Sequence, residues 1–372
     1  MLKVGIVGCG KIADDHAEQL QRIEGCEMVG VCDREPLMAR QMSQRFPVKA
    51  WFSNLEDMLS EAQPDVVHVT TPPQSHFSVA KTCLEAGCHV YVEKPFTVDA
   101  NEARKLISIA ESRGLRLTAG HDCQFRHAAR RMRALIQQGF LGDRVAHMES
   151  YFCYELGPGA YASALLTDKN SWVRKLPGGL LQNVISHGIA PIAEHLAGGT
   201  PQVTASGSIS PLLRGLGETE LIDELRVMLS DEQGTTAFFT FSSQMRPALH
   251  QFRIFGDRNA LVADQDQETL IRLRGKRYVS YLEKFYPPVT IAQDYLRNSA
   301  GNIRRFLKRD FHMKSGMKFL IESFYRSIEE GSPVPIPYRE IILTAEIMDL
   351  IFTQLRPDAD LPSSTPLAAA VS

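Results

Sequence analysis

A glutamate and a lysine stand together at the end of an apolar run, in the sequence Val90-Tyr91-Val92-Glu93-Lys94-Pro95. The run predicts a buried strand, and ligands of open parallel sheets bind at the carboxyl ends of their strands. A lysine held there can give a proton to a substrate oxygen or take one from it. Glu93 could orient this lysine. A plain surface Glu–Lys pair would contribute little, so the assignment depends on the sequence that precedes the pair.

The chain opens with a strand, a glycine turn and a helix start, in the sequence Leu2-Lys3-Val4-Gly5-Ile6-Val7-Gly8-Cys9-Gly10-Lys11-Ile12-Ala13. Gly8 permits the turn, and Gly10 lets the backbone approach a pyrophosphate. The first helical amides, at Lys11 and Ile12, would then hold the phosphates. This is the GxGxxA dinucleotide-binding fingerprint in the strand–turn–helix context that it requires.

An acidic residue, Asp33, ends the next predicted strand, which begins at Met28. A carboxylate at this position accepts hydrogen bonds from the ribose hydroxyls and repels a 2′-phosphate. The sequence therefore predicts NAD as the cofactor. Arg34, the next residue, keeps NADP as a less favoured alternative.

Strand and helix patterns alternate up to Ala119, which predicts a doubly wound parallel sheet and an α/β fold. From residue 146 onward, short strand-like runs separated by Gly, Asp and Asn predict an antiparallel sheet, with one face covered by helices such as Leu180 to Leu196. We expect a cofactor-binding domain over residues 1–122 and a substrate and oligomerisation domain over residues 123–356. The last predicted helix could pack back on the first domain. Residues 357–372, rich in Pro, Ala and Ser, are predicted to be a disordered tail.

Composition excludes several classes of partner. The 372 residues hold 41 Lys plus Arg against 43 Asp plus Glu, a balance that indicates neither nucleic acid nor a membrane as the main partner. No apolar run is long enough to span a bilayer, and no targeting segment is recognised, so we expect a cytoplasmic location. The seven cysteines show no CxxC pair and no metal spacing with histidine, which predicts reduced thiols and no metal.

The order of these motifs resembles the Gfo/Idh/MocA family of glucose-fructose oxidoreductase and inositol dehydrogenase relatives. The resemblance rests on GxGxxA, Asp33, the segment from Thr71 to His76, and the segment from Ala86 to Pro95. It implies a Rossmann domain followed by an α/β domain with a large, mostly antiparallel sheet, and it puts Lys94 beside the nicotinamide and the reacting carbon. The resemblance also implies that Gln124 lies near the cofactor. We expect further cofactor neighbours at Thr70, Thr71, Pro72, His76 and Glu93. His76, in the first turn of a predicted helix, is more structural than catalytic.

A second family signature is a glycine pair followed by two polar residues four apart on a helix. Here it runs from Gly178 to His187 and has Asn183 where many relatives have aspartate. The spacing puts positions 183 and 187 on one helical face. The resemblance implies that His187 is the acid/base group, because imidazole titrates near neutral pH. Asn183 can position a hydroxyl but cannot raise the basicity of His187, so the division of labour between Lys94 and His187 stays open.

A long loop between residues 151 and 177 carries aromatic and basic side chains. Long loops inside compact domains are often functional. We interpret this loop as a wall of the substrate pocket, with ordinary packing of its aromatic rings as the alternative. The side chains concerned are Tyr154, Tyr161, Trp172 and Arg174.

Residues 295–318 contain seven basic side chains opposed by Asp310 alone. Leu296, Ile303 and Leu307 fall on one helical face. The simpler interpretation is a helix with a solvated basic side. The alternative is an anion-binding element, either for a nucleotide-sugar diphosphate or for an anionic membrane surface.

Together the motifs predict an NAD-dependent oxidoreductase that acts on a secondary alcohol or ketone of a sugar, cyclitol or nucleotide sugar. Two other classes stay open. One is an NAD-retaining glycoside hydrolase that works by oxidation and elimination, and the other is a non-catalytic NAD-binding sensor. We expect a homodimer or homotetramer.

Overall fold

The computed structural model of the chain describes residues 1–156, 168–279 and 281–355. Tyr161 and the predicted tail at residues 357–372 lie outside the described residues.

The first sheet has six parallel strands in the order β3-β2-β1-β4-β5-β6. Sequence order reverses between β1 and β4, and this reversal opens the crevice in which doubly wound sheets bind their ligands. The predicted doubly wound parallel sheet is therefore confirmed. Its strands are β1 Leu2–Val7, β2 Cys26–Cys32, β3 Trp51–Phe52, β4 Val66–Val69, β5 His89–Val92 and β6 Leu117–Ala119.

Helices connect these strands, and their apolar sides pack on the sheet. The main core includes Val4, Val67 and Val90 from the strands, with Ala17 and Leu106 from the helices. The helices are α1 Lys11–Leu20, α2 Pro36–Arg45, α3 Leu55–Glu61, α4 His76–Glu85 and α5 Ala100–Ser112.

The second sheet has seven strands in the order β13-β12-β11-β7-β10-β9-β8. Its neighbours are antiparallel except for β7 and β10, which are parallel. This confirms the predicted large, mostly antiparallel sheet. Its strands are β7 Val145–Cys153, β8 Gln202–Ser208, β9 Glu224–Ser230, β10 Thr236–Ser242, β11 His250–Gly256, β12 Asn259–Asp264 and β13 Thr269–Arg274.

The later helices cover one face of the second sheet or return to the first. Met317 and Phe324 of α11 join the first core, whereas α12 contributes Ile341 to the first core and Ile351 to the second. The end of the chain therefore ties the two sheets together. The helices are α6 His127–Gln137, α7 Gly179–Val184, α8 Ser186–His195, α9 Pro211–Gly215, α10 Leu282–Leu307, α11 Ser315–Glu330 and α12 Tyr338–Leu355.

The single helix predicted from Leu180 to Leu196 is two helices in the structure, Gly179–Val184 and Ser186–His195, with Ile185 between them. Ile185 itself keeps a right-handed helical conformation. The second helix contains Pro191, which has no N–H to donate to the carbonyl of His187. Asn183 and His187 thus lie on consecutive helices joined at a single residue.

Candidate active site

The glycine turn after β1 approaches the loop after β4 closely. Gly8 has a φ of +94°, and a Cβ at this position would lie 2.7 Å from the backbone nitrogen of Thr71. The hydroxyl of Thr70 donates to the Gly8 carbonyl at 2.6 Å and so fixes the turn. A Cβ at Gly10 would meet no atom of the described residues within 4 Å, so they leave the space in front of α1 open. These features fit a bound pyrophosphate at the helix N-terminus.

The predicted ribose-binding carboxylate, Asp33, follows directly after β2. One of its oxygens accepts the Cys9 N–H at 2.7 Å, and the other accepts the Glu35 N–H at 2.9 Å. These bonds fix the carboxylate beside the glycine turn, and each oxygen keeps lone pairs for a ribose hydroxyl. Arg34 is exposed. At the start of α1, Lys11 is exposed and Ile12 is half-buried.

The buried ring of His76 connects the loops that follow β4 and β5. Its Nε2 lies 2.8 Å from the Thr71 carbonyl and its Nδ1 lies 2.9 Å from the Pro95 carbonyl. Burial lowers the pKa of His76. The ring thus holds in place the two loops that border the cofactor crevice. Pro72, in the loop after β4, is exposed.

Lys94 reaches from the first sheet to the helices of the second domain. Its Nζ donates a hydrogen bond to the main-chain carbonyl of Asn183 at 3.2 Å. The Lys94–Pro95 peptide bond is cis. Glu93 contacts the main chain of Lys94, because its Oε2 accepts the backbone N–H of Lys94 at 3.0 Å. The predicted pair at the end of β5 is therefore held at the junction of the two halves of the chain.

The His187 ring lies at the start of α8. It stacks on Phe152 of β7 with ring centroids 5.0 Å apart, and its Nδ1 lies 3.4 Å from the Cys123 sulfur. Burial, and then the positive charge of Lys94, lower the pKa of His187 well below its ordinary value. The imidazole is therefore neutral at neutral pH and can accept a proton.

Sequence reasoning missed the residues that follow β6. His121, Asp122 and Cys123 come directly after this strand, at the same edge of the sheet as Lys94. The carboxyl-edge rule that singled out Lys94 could have found them. Burial lowers the pKa of His121 to about 4 and raises that of Cys123 to about 12.

One group among the described residues has donor atoms close enough to hold a metal, namely Asp122, Cys123 and His187, whose atoms lie within 4.8 Å of one another. The spacing of the cysteines and histidines along the sequence predicts no metal. Two cations, Lys94 and Arg126, lie near enough to lower the pKa of His187, and such charges oppose a bound cation. We interpret the group as a hydrogen-bonding cluster.

Two of the other predicted site residues have hydrogen-bond partners of their own. Gln124 is buried, and its amide nitrogen donates to Glu194 at 3.0 Å, on the α8 side. The carbonyl of Trp172 accepts from the Gln74 side chain at 2.9 Å, which brings the long loop to the segment after β4.

Two further residues of the predicted pocket wall are engaged in packing or pairing. Tyr154 packs against the second core. Arg174 forms an ion pair with Glu218 at 2.6 Å. Burial acts to raise the pKa of Glu218, but the hydrogen bond from Arg174 and two backbone N–H groups lower it to about 2.

A buried chain of polar side chains leads away from Glu93 through the first core. Glu93 Oε1 lies 2.9 Å from His16 Nε2, and His16 Nδ1 lies 2.7 Å from His68 Nδ1. His68 Nε2 lies 2.7 Å from the Tyr325 hydroxyl. Tyr91 stacks on His68, with ring centroids 4.8 Å apart. The carboxylate next to Lys94 is thereby connected to helix α11.

Family models match both parts of the chain. Residues 2–121 match the oxidoreductase family with an NAD-binding Rossmann fold, and residues 129–262 match the GFO/IDH/MocA C-terminal domain. The chain belongs to the Gfo/Idh/MocA family. The family assignment confirms the predicted resemblance and NAD as the cofactor type. The open glycine turn and Asp33 fit this cofactor.

Curated relatives of this Gfo/Idh/MocA protein include two sugar dehydrogenases. UDP-N-acetylglucosamine 3-dehydrogenase from Acidithiobacillus ferrooxidans is 32% identical over 148 residues, which are 40% of this chain and 45% of that protein. D-glucoside 3-dehydrogenase from Escherichia coli is 31% identical over 143 residues, 38% of this chain and 41% of that protein. The chain therefore spans less than half the length of these relatives.

Solved structures share the fold over nearly the whole chain. The same A. ferrooxidans dehydrogenase has a TM-score of 0.70 at 23% identity and covers 95% of this chain and 99% of its own. The WlbA dehydrogenase from Bordetella pertussis, solved with NADH and UDP-GlcNAcA, has a TM-score of 0.74 at 17% identity and covers 95% of each chain. These likenesses show that the Gfo/Idh/MocA fold extends through both sheets.

Proposed function

We propose that this chain is an NAD-dependent dehydrogenase that oxidises a secondary alcohol of a sugar, cyclitol or nucleotide sugar, or reduces the matching ketone. The observation that carries the proposal is the hydrogen bond from Lys94 Nζ to the Asn183 carbonyl at 3.2 Å. It brings an ammonium group from the edge of the cofactor-binding sheet to the helices that hold His187. A basic group and a cation thus share the space beside a predicted nicotinamide site.

Bound NAD would accept the hydride from the alcohol carbon, so the hydroxyl proton must leave for a base. His187 is suited to take it, because its lowered pKa keeps the ring neutral. The Lys94 ammonium can donate a hydrogen bond to the same oxygen and stabilise the negative charge that develops on it. In the reverse direction, protonated His187 returns the proton as the ketone is reduced. We assign Asn183 the role of positioning the substrate hydroxyl.

The relatives support the substrate class. The two curated relatives are named as 3-dehydrogenases of UDP-N-acetylglucosamine and of D-glucoside. A structural neighbour was solved with UDP-GlcNAcA. We therefore propose a carbohydrate substrate, with the pocket wall formed in part by Tyr154, Trp172 and Arg174. We assign residues 295–318 no part in this chemistry.

We also propose that the protein acts in the cytoplasm as a homodimer or homotetramer. The open face of the second sheet supports self-association. Phe238 of β10 and Met228 of β9 are directly paired there, and both side chains are exposed. Neighbouring apolar groups on an open sheet face favour burial against a second copy of the same face. Sedimentation velocity would measure the assembly.

Turnover with a panel of sugars, cyclitols and nucleotide sugars tests the function. Purified protein is first analysed by mass spectrometry for retained cofactor and then assayed with added NAD. Net formation of NADH with one substrate class, lost in Lys94→Met, is the expected result. Glycoside cleavage without net NADH would instead indicate the NAD-retaining hydrolase. NAD binding without any product over the whole panel would indicate a sensor, and either result overturns the proposal.

A further inference from the structure

Helix α10 turns its polar side toward the protein. Its two buried residues are Asp294 and Asn298. The Asn298 amide accepts the Leu270 N–H at 3.1 Å and donates to the Leu270 carbonyl at 2.9 Å. Asp294 accepts the Arg272 N–H at 3.1 Å. Both contacts are made to the backbone of β13.

The position of β13 in the sheet explains this orientation. β13 is an edge strand, so one side of its backbone has no neighbouring strand among the residues that the structure describes. Buried N–H and C=O groups need hydrogen-bond partners, and the amide and carboxylate of α10 provide them. Two residues along a helix are about 200° apart, so Leu296 faces the side opposite both Asp294 and Asn298.

A continuous apolar stripe therefore lies on the outer side of α10. Leu296 is 70% exposed, Ile303 is 62% exposed and Leu307 is 76% exposed. The sequence pattern predicts these three residues on one face, and the structure shows that this apolar face is exposed in addition to the basic side. The exposed apolar residues of the stripe are Leu282, Phe285, Val289, Leu296, Ile303, Phe306 and Leu307.

Basic residues border the stripe on one flank. Arg297, Arg304 and Lys308 are seven and four residues apart, so they project from the same side of the helix. The helix itself contains two acidic residues, Glu283 and Asp294. Asp294 is buried and forms ion pairs with Arg272 and, at 3.4 Å, with Arg297. The outer surface of α10 thus combines apolar and cationic side chains with little negative charge.

We propose that the α10 stripe binds an anionic lipid surface, with the helix lying flat in the headgroup region. Such helices place apolar side chains among the acyl chains and basic side chains against anionic headgroups. A helix of 26 residues would contact the surface over about 39 Å. No helix in the described ranges is long and apolar enough to cross a bilayer. The inference goes beyond the proposed dehydrogenase function and does not depend on it.

A second copy of the chain is the less favourable occupant. If two copies paired their stripes around a two-fold axis, the two α10 helices would be antiparallel. The same flank of each helix would then lie on the same side of the pair. Arg297, next to the central Leu296, would then face its own copy. Its neighbouring carboxylate is the buried Asp294 at 3.4 Å, and no exposed carboxylate of the stripe would oppose it. Like charges brought together in this way oppose association.

Vesicle flotation of the full chain tests the proposal. Wild-type protein is mixed with phosphatidylcholine vesicles with or without phosphatidylglycerol, at low and at high salt. Leu296→Gln/Ile303→Gln removes the centre of the stripe, and Arg304→Gln/Lys308→Gln removes charge. Leu37→Gln/Leu216→Gln is the matched control, because both leucines are similarly exposed but lie outside α10. Circular dichroism and the melting temperature confirm that each variant is folded.

We expect wild-type protein to float with the anionic vesicles alone, and salt to weaken binding. The vesicle partition coefficient of the stripe variant should fall roughly tenfold or more. That of the charge variant should fall roughly fivefold per cation removed. The partition coefficient of the control should not change. Failure to bind anionic vesicles at low salt would overturn the proposal, and so would equal binding by the stripe variant. Light scattering is recorded in parallel. If the stripe variant turns an oligomer into a monomer and vesicles are not bound, a second copy covers the stripe.

Discussion

Glu93 is held by His16, whose Nε2 lies 2.9 Å from the carboxylate oxygen Oε1 in the buried core of the first domain. Burial acts to raise the pKa of Glu93, but the hydrogen bond from His16 and the charge of Lys94 lower it overall. The carboxylate is therefore ionised at neutral pH. Its second oxygen is bonded to the Lys94 backbone, so the contact with His16 also fixes the residue that carries the proposed chemistry.

Replacing His16 by leucine should destabilise the protein, because it leaves an ionised carboxylate buried without its partner. We expect His16→Leu to lower the free energy of unfolding by about 3 kcal/mol at neutral pH. Since the folded-state pKa of Glu93 is depressed, this difference should shrink as pH falls below the ordinary glutamate value near 4.5. Urea denaturation at several pH values measures both effects. His16→Gln, which can still donate to Glu93, is the control, and equal stability of the leucine variant at neutral pH would contradict the assignment.

The Tyr325 hydroxyl should set the tautomer of His68. Burial lowers the pKa of His68 well below its ordinary value, so this ring is neutral and bears one N–H. With Tyr325 donating to His68 Nε2, the proton of His68 lies on Nδ1 and is donated to His16. Tyr325→Phe should release this preference and cost about 1–3 kcal/mol of stability. Imidazole ¹⁵N chemical shifts report the tautomer, with Tyr338→Phe as control. Finding the His68 proton on Nε2 in the unmutated protein would show that the hydrogen bonds between Tyr325, His68 and His16 have the opposite direction.

This polar chain shows which part of the site sequence reasoning could not reach. The strand and helix periods, the glycine turn and Asp33 follow local rules, and the end of β5 could be singled out because parallel strands present their carboxyl ends at one edge. His16 and Glu93, however, are 77 residues apart. Their contact depends on β1, β4 and β5 lying side by side, and on the side from which α1 packs against them.

The outward direction of the apolar stripe on α10 also depends on contacts that local sequence does not show. The spacing of Leu296 and Ile303 predicted an apolar face, but not the direction in which it points. The direction is set by β13, an edge strand whose Leu270 and Arg272 backbone groups need polar partners. Which strand forms the edge is a property of the whole sheet and is absent from any local window of sequence.

Lys94→Met should remove most turnover while NAD affinity is retained. The ammonium group acts on the substrate oxygen, whereas the glycine turn and Asp33 hold the cofactor. We expect kcat to fall by at least about 100-fold and the Kd for NAD to change by less than about threefold. Stopped-flow assays and cofactor fluorescence measure the two quantities. Lys105→Met, an exposed lysine of α5, is the control. Turnover near the wild-type value would contradict the proposal that Lys94 acts on the substrate oxygen.

Asp33→Ala should weaken NAD binding and reduce discrimination against NADP. The carboxylate is fixed by the Cys9 and Glu35 amides beside the glycine turn. Its loss removes a charged hydrogen-bond acceptor for the ribose and the repulsion of a 2′-phosphate. We expect roughly a tenfold rise in the Kd for NAD and little change for NADP. Isothermal titration of both cofactors measures the ratio. A wild-type preference for NADP would show that the strand-end carboxylate does not select the cofactor.

Asn183→Asp should move the pH dependence of turnover to higher pH. In the unmutated protein, burial and the Lys94 charge lower the pKa of His187. Alcohol oxidation needs the neutral ring, so activity should fall with decreasing pH only well below the ordinary histidine value near 6.5. A carboxylate at position 183 stabilises the protonated ring, raises its pKa and shifts this acidic limb upward. The pH profile of kcat/KM, with Asn101→Asp on α5 as control, measures the shift. An unchanged acidic limb would show that His187 is not the titrating base, or that position 183 does not act on it.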